Sequence, residues 1–222
     1  MIKHTTRFLL LGNVVVGTLF LIQLTYPALQ SKTFTALMPS WHRIPDLESA
    51  TELSDSVVTA NVVKVRKSAL RIKAEGLPGN VDVIPGEVIT LQVTSDDVKG
   101  QKKKGQTLEL FHTGTSENQG GVAQLSIEHD PPYQVGEAYL LFTTTGPSVD
   151  VGGQQVETQS IVSPEGRWKI DPSGNVSPMS DIGWAKQLDK RSVGELRSRA
   201  ARAHAAAMAG QGKLKGPPKA RN

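Results

Sequence analysis

Residues Glu87–Thr94 read EVITLQVT, with Ile89, Leu91 and Val93 on one side of an extended strand and Thr90, Gln92 and Thr94 on the other. That two-residue period is what a half-buried β-strand needs, because successive side chains point to opposite faces. The period recurs along the chain. SVVTANVVKV (56–65) is dense in β-branched residues, TLELFH (107–112) sets Leu108 beside Leu110, and VAQLSIE (122–128) aligns Ala123, Leu125 and Ile127. AYLLFTT (138–144) is apolar on both faces and reads as a central strand; VETQSIV (156–162) and RWKID (167–171) come next, then a turn over Pro172–Asn175. Seven such runs, with no long amphipathic helix between them, predict a mostly β domain, an antiparallel barrel or sandwich. The 21 glycines and 13 prolines supply its turns.

Lys3, His4 and Arg7 precede a stretch from Phe8 to Ser31 without a charged residue. About 20 apolar residues suffice to cross a bilayer as a helix, and basic residues ahead of the span direct the downstream chain outward. A cleavable signal has a shorter apolar region and small residues at its cleavage site. Here the run is long, and Tyr26-Pro27-Ala28 and Thr33-Phe34-Thr35 are poor sites. The expectation is an uncleaved anchor through residues 8–29, placing the rest on the extracytoplasmic side of the cytoplasmic membrane; the alternative is a secreted domain. The expected organisation is an anchor or signal segment 1–31, a linker 32–45, a β-barrel 46–180, a helical segment 181–209 and a basic tail 210–222. The tail has no core-forming residues and is expected to be disordered.

Ser192-Val-Gly-Glu195 has the form of a capping box, in which a hydroxyl and a carboxylate satisfy each other's free amides. It predicts a helix from Val193 to about Ala209, ending at Gly210. The apolar stripe Leu196, Ala200, Ala203 and Ala207 is narrow, leaving Arg197, Arg199 and Arg202 to face outward. From Lys186 to Asn222 ten basic residues stand against Asp189 and Glu195, while the other 185 residues carry a net charge of −4. A second basic cluster, Lys102-Lys103-Lys104, sits in the polar loop 98–106. Lys102, Lys103, Lys104, Arg197, Arg199 and Arg202 are the candidate partner contacts, by attraction to an acidic surface. The plainer reading of the same residues is a solvated loop and helix face.

The chemistry the chain lacks narrows the function classes. With no cysteine there is no thiol nucleophile, thiolate metal site or lipidation at a cysteine. No G-x-S-x-G, H-E-x-x-H, P-loop or G-x-G-x-x-G occurs, so no catalytic, cofactor-binding or metal residue is assigned, no cofactor is expected and no small-molecule substrate is evident. His112, His129 and Asp130 would approach one another only if 107–112 and 122–128 pair, a spacing that is not diagnostic. Tyr133 and Trp168 suit either a stacking platform or the core. Nucleic acid is a poor fit for an exported, mildly acidic domain with 5% aromatic residues, since single-strand binding relies on aromatic stacking.

Four stretches carry a family resemblance. They are Leu53–Val58 (LSDSVV) and then Val62, with Ala60 where glycine is usual; Val93–Gly100 (VTSDDVKG); Tyr133–Phe142 (YQVGEAYLLF); and Gly166–Val176 leading into the SVGEL helix. Across about residues 47–200 the chain resembles uncharacterised exported bacterial proteins with a TIMP/netrin-like OB-barrel domain. The resemblance implies an antiparallel OB-like barrel with an N-terminal transmembrane helix and a C-terminal helix, a turn at Gly136, and Leu140 and Phe142 filling the barrel. Metalloprotease inhibition does not carry over, because TIMPs use an N-terminal cysteine. The expectation is a non-enzymatic, membrane-anchored module that binds another protein through its barrel loops or basic tail. The alternative is a structural accessory subunit of a membrane protein complex; a hydrolase or metal-dependent enzyme is the least supported.

Overall fold

A computed structural model describes residues 44–73, 81–113, 131–180 and 183–212. The expected anchor, the run 122–128, His129, Asp130 and residues 213–222 lie outside the described residues. Among the described residues no helix is long and apolar enough to cross a membrane.

A short helix α1 (Leu47–Leu53) leads into β1 (Ser56–Lys73), β2 (Val81–Ser95), β3 (Thr107–Thr113), β4 (Ala138–Val151) and β5 (Gln154–Ile161). After a 3₁₀ turn at Pro164–Gly166 come β6 (Arg167–Ile170) and β7 (Val176–Pro178), a second 3₁₀ turn (Gly183–Leu188) and helix α2 (Val193–Met208). Among the described residues the strands form one seven-stranded sheet in the order β1-β2-β3-β5-β4-β6-β7, and β1 also pairs with β4. The first five strands therefore partly close into a ring.

The expected antiparallel pattern is only partly realised, and the sheet is mixed. From Ser56 opposite Thr143 to Asn61 opposite Ala138, each step forward on β1 is a step back on β4. β1–β2, β2–β3 and β4–β5 also run antiparallel. A ring of five strands cannot alternate direction throughout, so one seam must be parallel. That seam is β3–β5, joined at Leu110 and Gln159. A separate bridge, Ala69 to Asp150, joins β1 and β4 again in the parallel sense. β1 serves both neighbours by bending: its register with β2 shifts at Thr59/Ala60 and Val62/Lys64, as bulges do when a strand turns a corner.

Alternation then sorts the core. Val58, Ala60, Ile89, Leu91, Leu110, Tyr139 and Leu141, drawn from four strands, form one buried cluster inside the ring. The opposite side of β4, Leu140 and Phe142, joins Val57, Trp168 and Val176 against Leu47 and Ala50 of α1 and Leu196 and Ala200 of α2. Leu140 and Phe142 thus do not fill the barrel, as the resemblance implied; they hold the helices to its outside. β4 is apolar on both faces because it has a core on each side.

Both helices carry side-chain caps. Asp46 Oδ1 accepts the Ser49 N–H at 2.8 Å at the start of α1, and Ser192 Oγ accepts the Glu195 N–H at 3.1 Å at the start of α2. Each satisfies an amide that lacks an intrahelical partner. α2 closes where Gly210 takes φ +74°, a left-handed conformation that favours glycine.

Candidate interaction surface

The loop joining β2 and β3 is pinned to the domain from both ends. Asp97 anchors it: its carboxylate accepts the Ser56 hydroxyl, the Val57 N–H at 2.8 Å and the Lys99 N–H at 3.0 Å. Its own N–H donates to Lys102 O at 2.9 Å, and Val98 N–H donates to Val57 O at 3.0 Å. Toward β3, Gly105 N–H donates to Val93 O at 2.8 Å and Gln106 N–H to Lys103 O at 3.1 Å. Lys99 turns inward, its ammonium donating to Thr51 O at 2.9 Å and Glu52 O at 2.7 Å. A cation there complements the carbonyls at the end of α1. Burial lowers the pKa of Lys99, against the pull of Asp55, Glu52 and Asp97.

Asp96 joins this loop to α2. Its Oδ1 accepts the Lys104 N–H at 2.9 Å, its Oδ2 lies 3.8 Å from Lys103 Nζ, and its carbonyl accepts Arg197 Nη2 at 2.7 Å. The Lys104 bond, helped by the Lys103 and Arg197 charges, holds the Asp96 carboxyl below its usual value. Arg197 also donates from Nη1 to Thr59 Oγ1 at 3.3 Å, and burial lowers its pKa. Residues more than a hundred positions apart in sequence thus meet at one corner.

Arg197 and Arg199, expected to face outward, fold back onto the domain. Arg199 Nη2 pairs with Glu48 Oε1 of α1 at 2.8 Å, both side chains about three-quarters covered. The stripe on α2 is so narrow that the residues flanking it also touch the domain. Arg202, Lys103 and Lys104 are exposed and Lys102 is half-buried. Of the six candidates, four gather at the β2–β3 corner, one braces the helices and one, Arg202, is exposed on the helix surface.

A second polar cluster lies inside the ring. Arg167 is fully buried, donating to Pro131 O, to Pro132 O at 3.3 Å and to the Tyr139 hydroxyl at 3.1 Å. Its guanidinium carbon sits 3.4 Å from the Tyr133 ring centroid, and Tyr133 meets His112 edge-on at 5.4 Å. Glu87 stands opposite His112 across β2–β3, and both are buried. Tyr139 donates to Glu137, which also pairs with Lys169. Burial and that bond push the Tyr139 phenol up to about 12. Burial raises the Glu137 carboxyl, but the bonds from Lys169 and Tyr139 outweigh it and leave it lowered.

This arrangement explains the GE-x-YLLF stretch as architecture: Gly136 turns with φ +90°, Glu137 and Tyr139 join the polar cluster, and the next residues alternate between the two cores. Tyr133 and Trp168 are 3% and 0% exposed, so neither offers a stacking face to a surface ligand. Among the described residues no group of three or more metal-binding side chains occurs. Asp96, Asp97 and Lys99, which fix the loop, and Arg167, which fixes the Pro131–Tyr133 segment, were not legible as partners from spacing. Comparison of the chain with protein-family models, with curated proteins and with solved structures finds no match in any of the three.

Proposed function

We propose that the chain is a non-enzymatic interaction module, anchored in the cytoplasmic membrane by residues 8–29. Its barrel, on the extracytoplasmic side, presents the β2–β3 corner to the acidic surface of a protein partner. Within this reading the barrel is an OB-type, TIMP/netrin-like one. The supporting features are the partly closed order β1-β2-β3-β5-β4-β1 and the parallel seam between β3 and β5, with five strands as in OB barrels.

The observation that carries the proposal is the pinned loop. A solvated lysine run would have to be ordered on binding, at a free-energy cost; Lys103 and Lys104 already project from a backbone held by hydrogen bonds to β1, β2 and Asp96. Such preorganisation strengthens binding by lowering that ordering cost. Mild-detergent extraction and then native-mass measurement test the reading. A partner bound through charge is retained at 0.1 M salt and released at 1 M, where the Debye length falls from about 10 Å to about 3 Å. A chain that travels alone at low salt overturns the proposal. One that keeps its companions at 1 M salt is instead a permanent subunit of a complex.

A further inference from the structure

We infer that Asp96 is a fixed counter-charge inside the β2–β3 corner, an affinity-limiting residue that competes with the partner's carboxylates for Lys103. This rests on the interaction reading above and adds to it which residue of the corner limits the strength of the contact. The segment 96–106, DDVKGQKKKGQ, holds two acidic residues. Asp97 is turned to the domain, its carboxylate taken up by the Ser56 hydroxyl, the Val57 N–H and the Lys99 N–H. Asp96 stands among the cations instead. It is exposed, like Lys103 and Lys104, and its Oδ2 lies 3.8 Å from Lys103 Nζ. The Asp96 and Lys103 side chains are 61% and 70% exposed, so an incoming anion can reach the pair.

Asp96 is not free to swing aside for such an anion. Its Oδ1 accepts the Lys104 N–H at 2.9 Å and its carbonyl accepts Arg197 Nη2 at 2.7 Å. Its carboxylate is thus tied to the opposite arm of the loop and its backbone to α2, and moving the carboxylate away would also release Lys104. Protonation does not remove the charge where it matters. The Lys104 bond, and after it the Lys103 and Arg197 charges, outweigh desolvation and hold the Asp96 carboxyl below its ordinary value. Aspartate and glutamate on a partner titrate at about 3.9 and 4.3, so Asp96 is ionised wherever they are. A carboxylate arriving at Lys103 therefore meets a like charge within a few ångströms. Exposed charges at that range change affinity modestly in water, which suits a contact that forms and releases with salt.

The probe is a fluorescein-labelled octaglutamate peptide, added to the full-length chain in neutral detergent and followed by anisotropy. D96N keeps an oxygen for the Lys104 N–H and loses only the charge. At 0.1 M salt it should bind the peptide about three- to fivefold more tightly than the wild type, the size of one charge pair at a few ångströms in water. The gain should fade at 1 M salt, where the Debye length is about 3 Å. It should also shrink in a K103Q background, because contacting residues are coupled. Melting temperatures check that each chain is folded, and D96S takes the place of D96N if that variant melts below the wild type. Suppose the wild type binds the peptide, K103E combined with K104E does not, and the neutral variant binds no more tightly than the wild type. Asp96 is then not the limiting charge, and the corner reading stands. An equal gain in the wild-type and K103Q backgrounds likewise overturns the competition for Lys103. A wild type that binds no better than the doubly reversed chain overturns the corner reading and this inference together.

Discussion

The guanidinium carbon of Arg167 lies 3.4 Å from the centroid of the Tyr133 ring, at a position with no exposure to solvent. The contact ties β6 to the Pro131–Tyr133 segment that leads into β4. Arg167 also donates to two proline carbonyls and a phenol. A lysine cannot reproduce that planar fork. Arg167→Lys should cost about 2–4 kcal/mol, from a desolvated cation–π contact and the lost charge-assisted hydrogen bonds. The urea midpoint reports it, with an unchanged m-value indicating loss of stability alone. A shift within the ordinary scatter of surface substitutions would show that Arg167 is not the clamp.

Tyr139 gives the fold an alkaline limit. Its folded pKa is raised from 10.0 to about 12, so the fold favours the neutral phenol. The contribution is fully present below pH 10 and is lost as pH rises from 10 to 12. Melting temperature should fall through that window in the wild type and less steeply in Tyr139→Phe. Equal slopes would show that the phenol does not titrate in step with unfolding.

Phe142 and Leu141 are neighbours in sequence that belong to different cores. Each truncation to alanine should destabilise, by about 3–5 kcal/mol for Phe142 and about 2–5 kcal/mol for Leu141. They should differ in where local opening increases. Phe142→Ala should raise amide exchange in α1 and α2, and Leu141→Ala chiefly within the ring. Identical exchange patterns would contradict two separate cores.

Periodicity located six of the strands, at 56–65, 87–94, 107–112, 138–144, 156–162 and 167–171, because an alternating strand states its own faces. It could not show that β1 extends to Lys73 or β2 begins at Val81, since the distal hairpin pairs mixed residues such as Arg71 with Val83 and Lys67 with Glu87. Nor could it give the parallel seam, which results from closing an odd ring. α1 was missed because seven residues show too little of a helical period. The basic residues of the candidate surface were legible as types, but Asp96 and Asp97 gave no sign that they would draw Lys103, Lys104 and Arg197 together. That convergence is a tertiary fact.

The anchor is tested by the intact mass of the native protein. An uncleaved span predicts a chain that retains residues 8–29. A mature N-terminus between Ala28 and Leu37 would leave a secreted domain.

The central claim is that the β2–β3 corner binds through charge, and reversing that charge tests it most directly. Lys103 and Lys104 are exposed, so K103E combined with K104E should shift stability by no more than about 0.5 kcal/mol per site, as surface changes do. The melting temperature checks that the fold is kept. Native mass after mild-detergent extraction at 0.1 M salt should then show the wild type with its partner and the doubly reversed chain without it. A reversed chain that melts normally and still carries the partner would contradict the account.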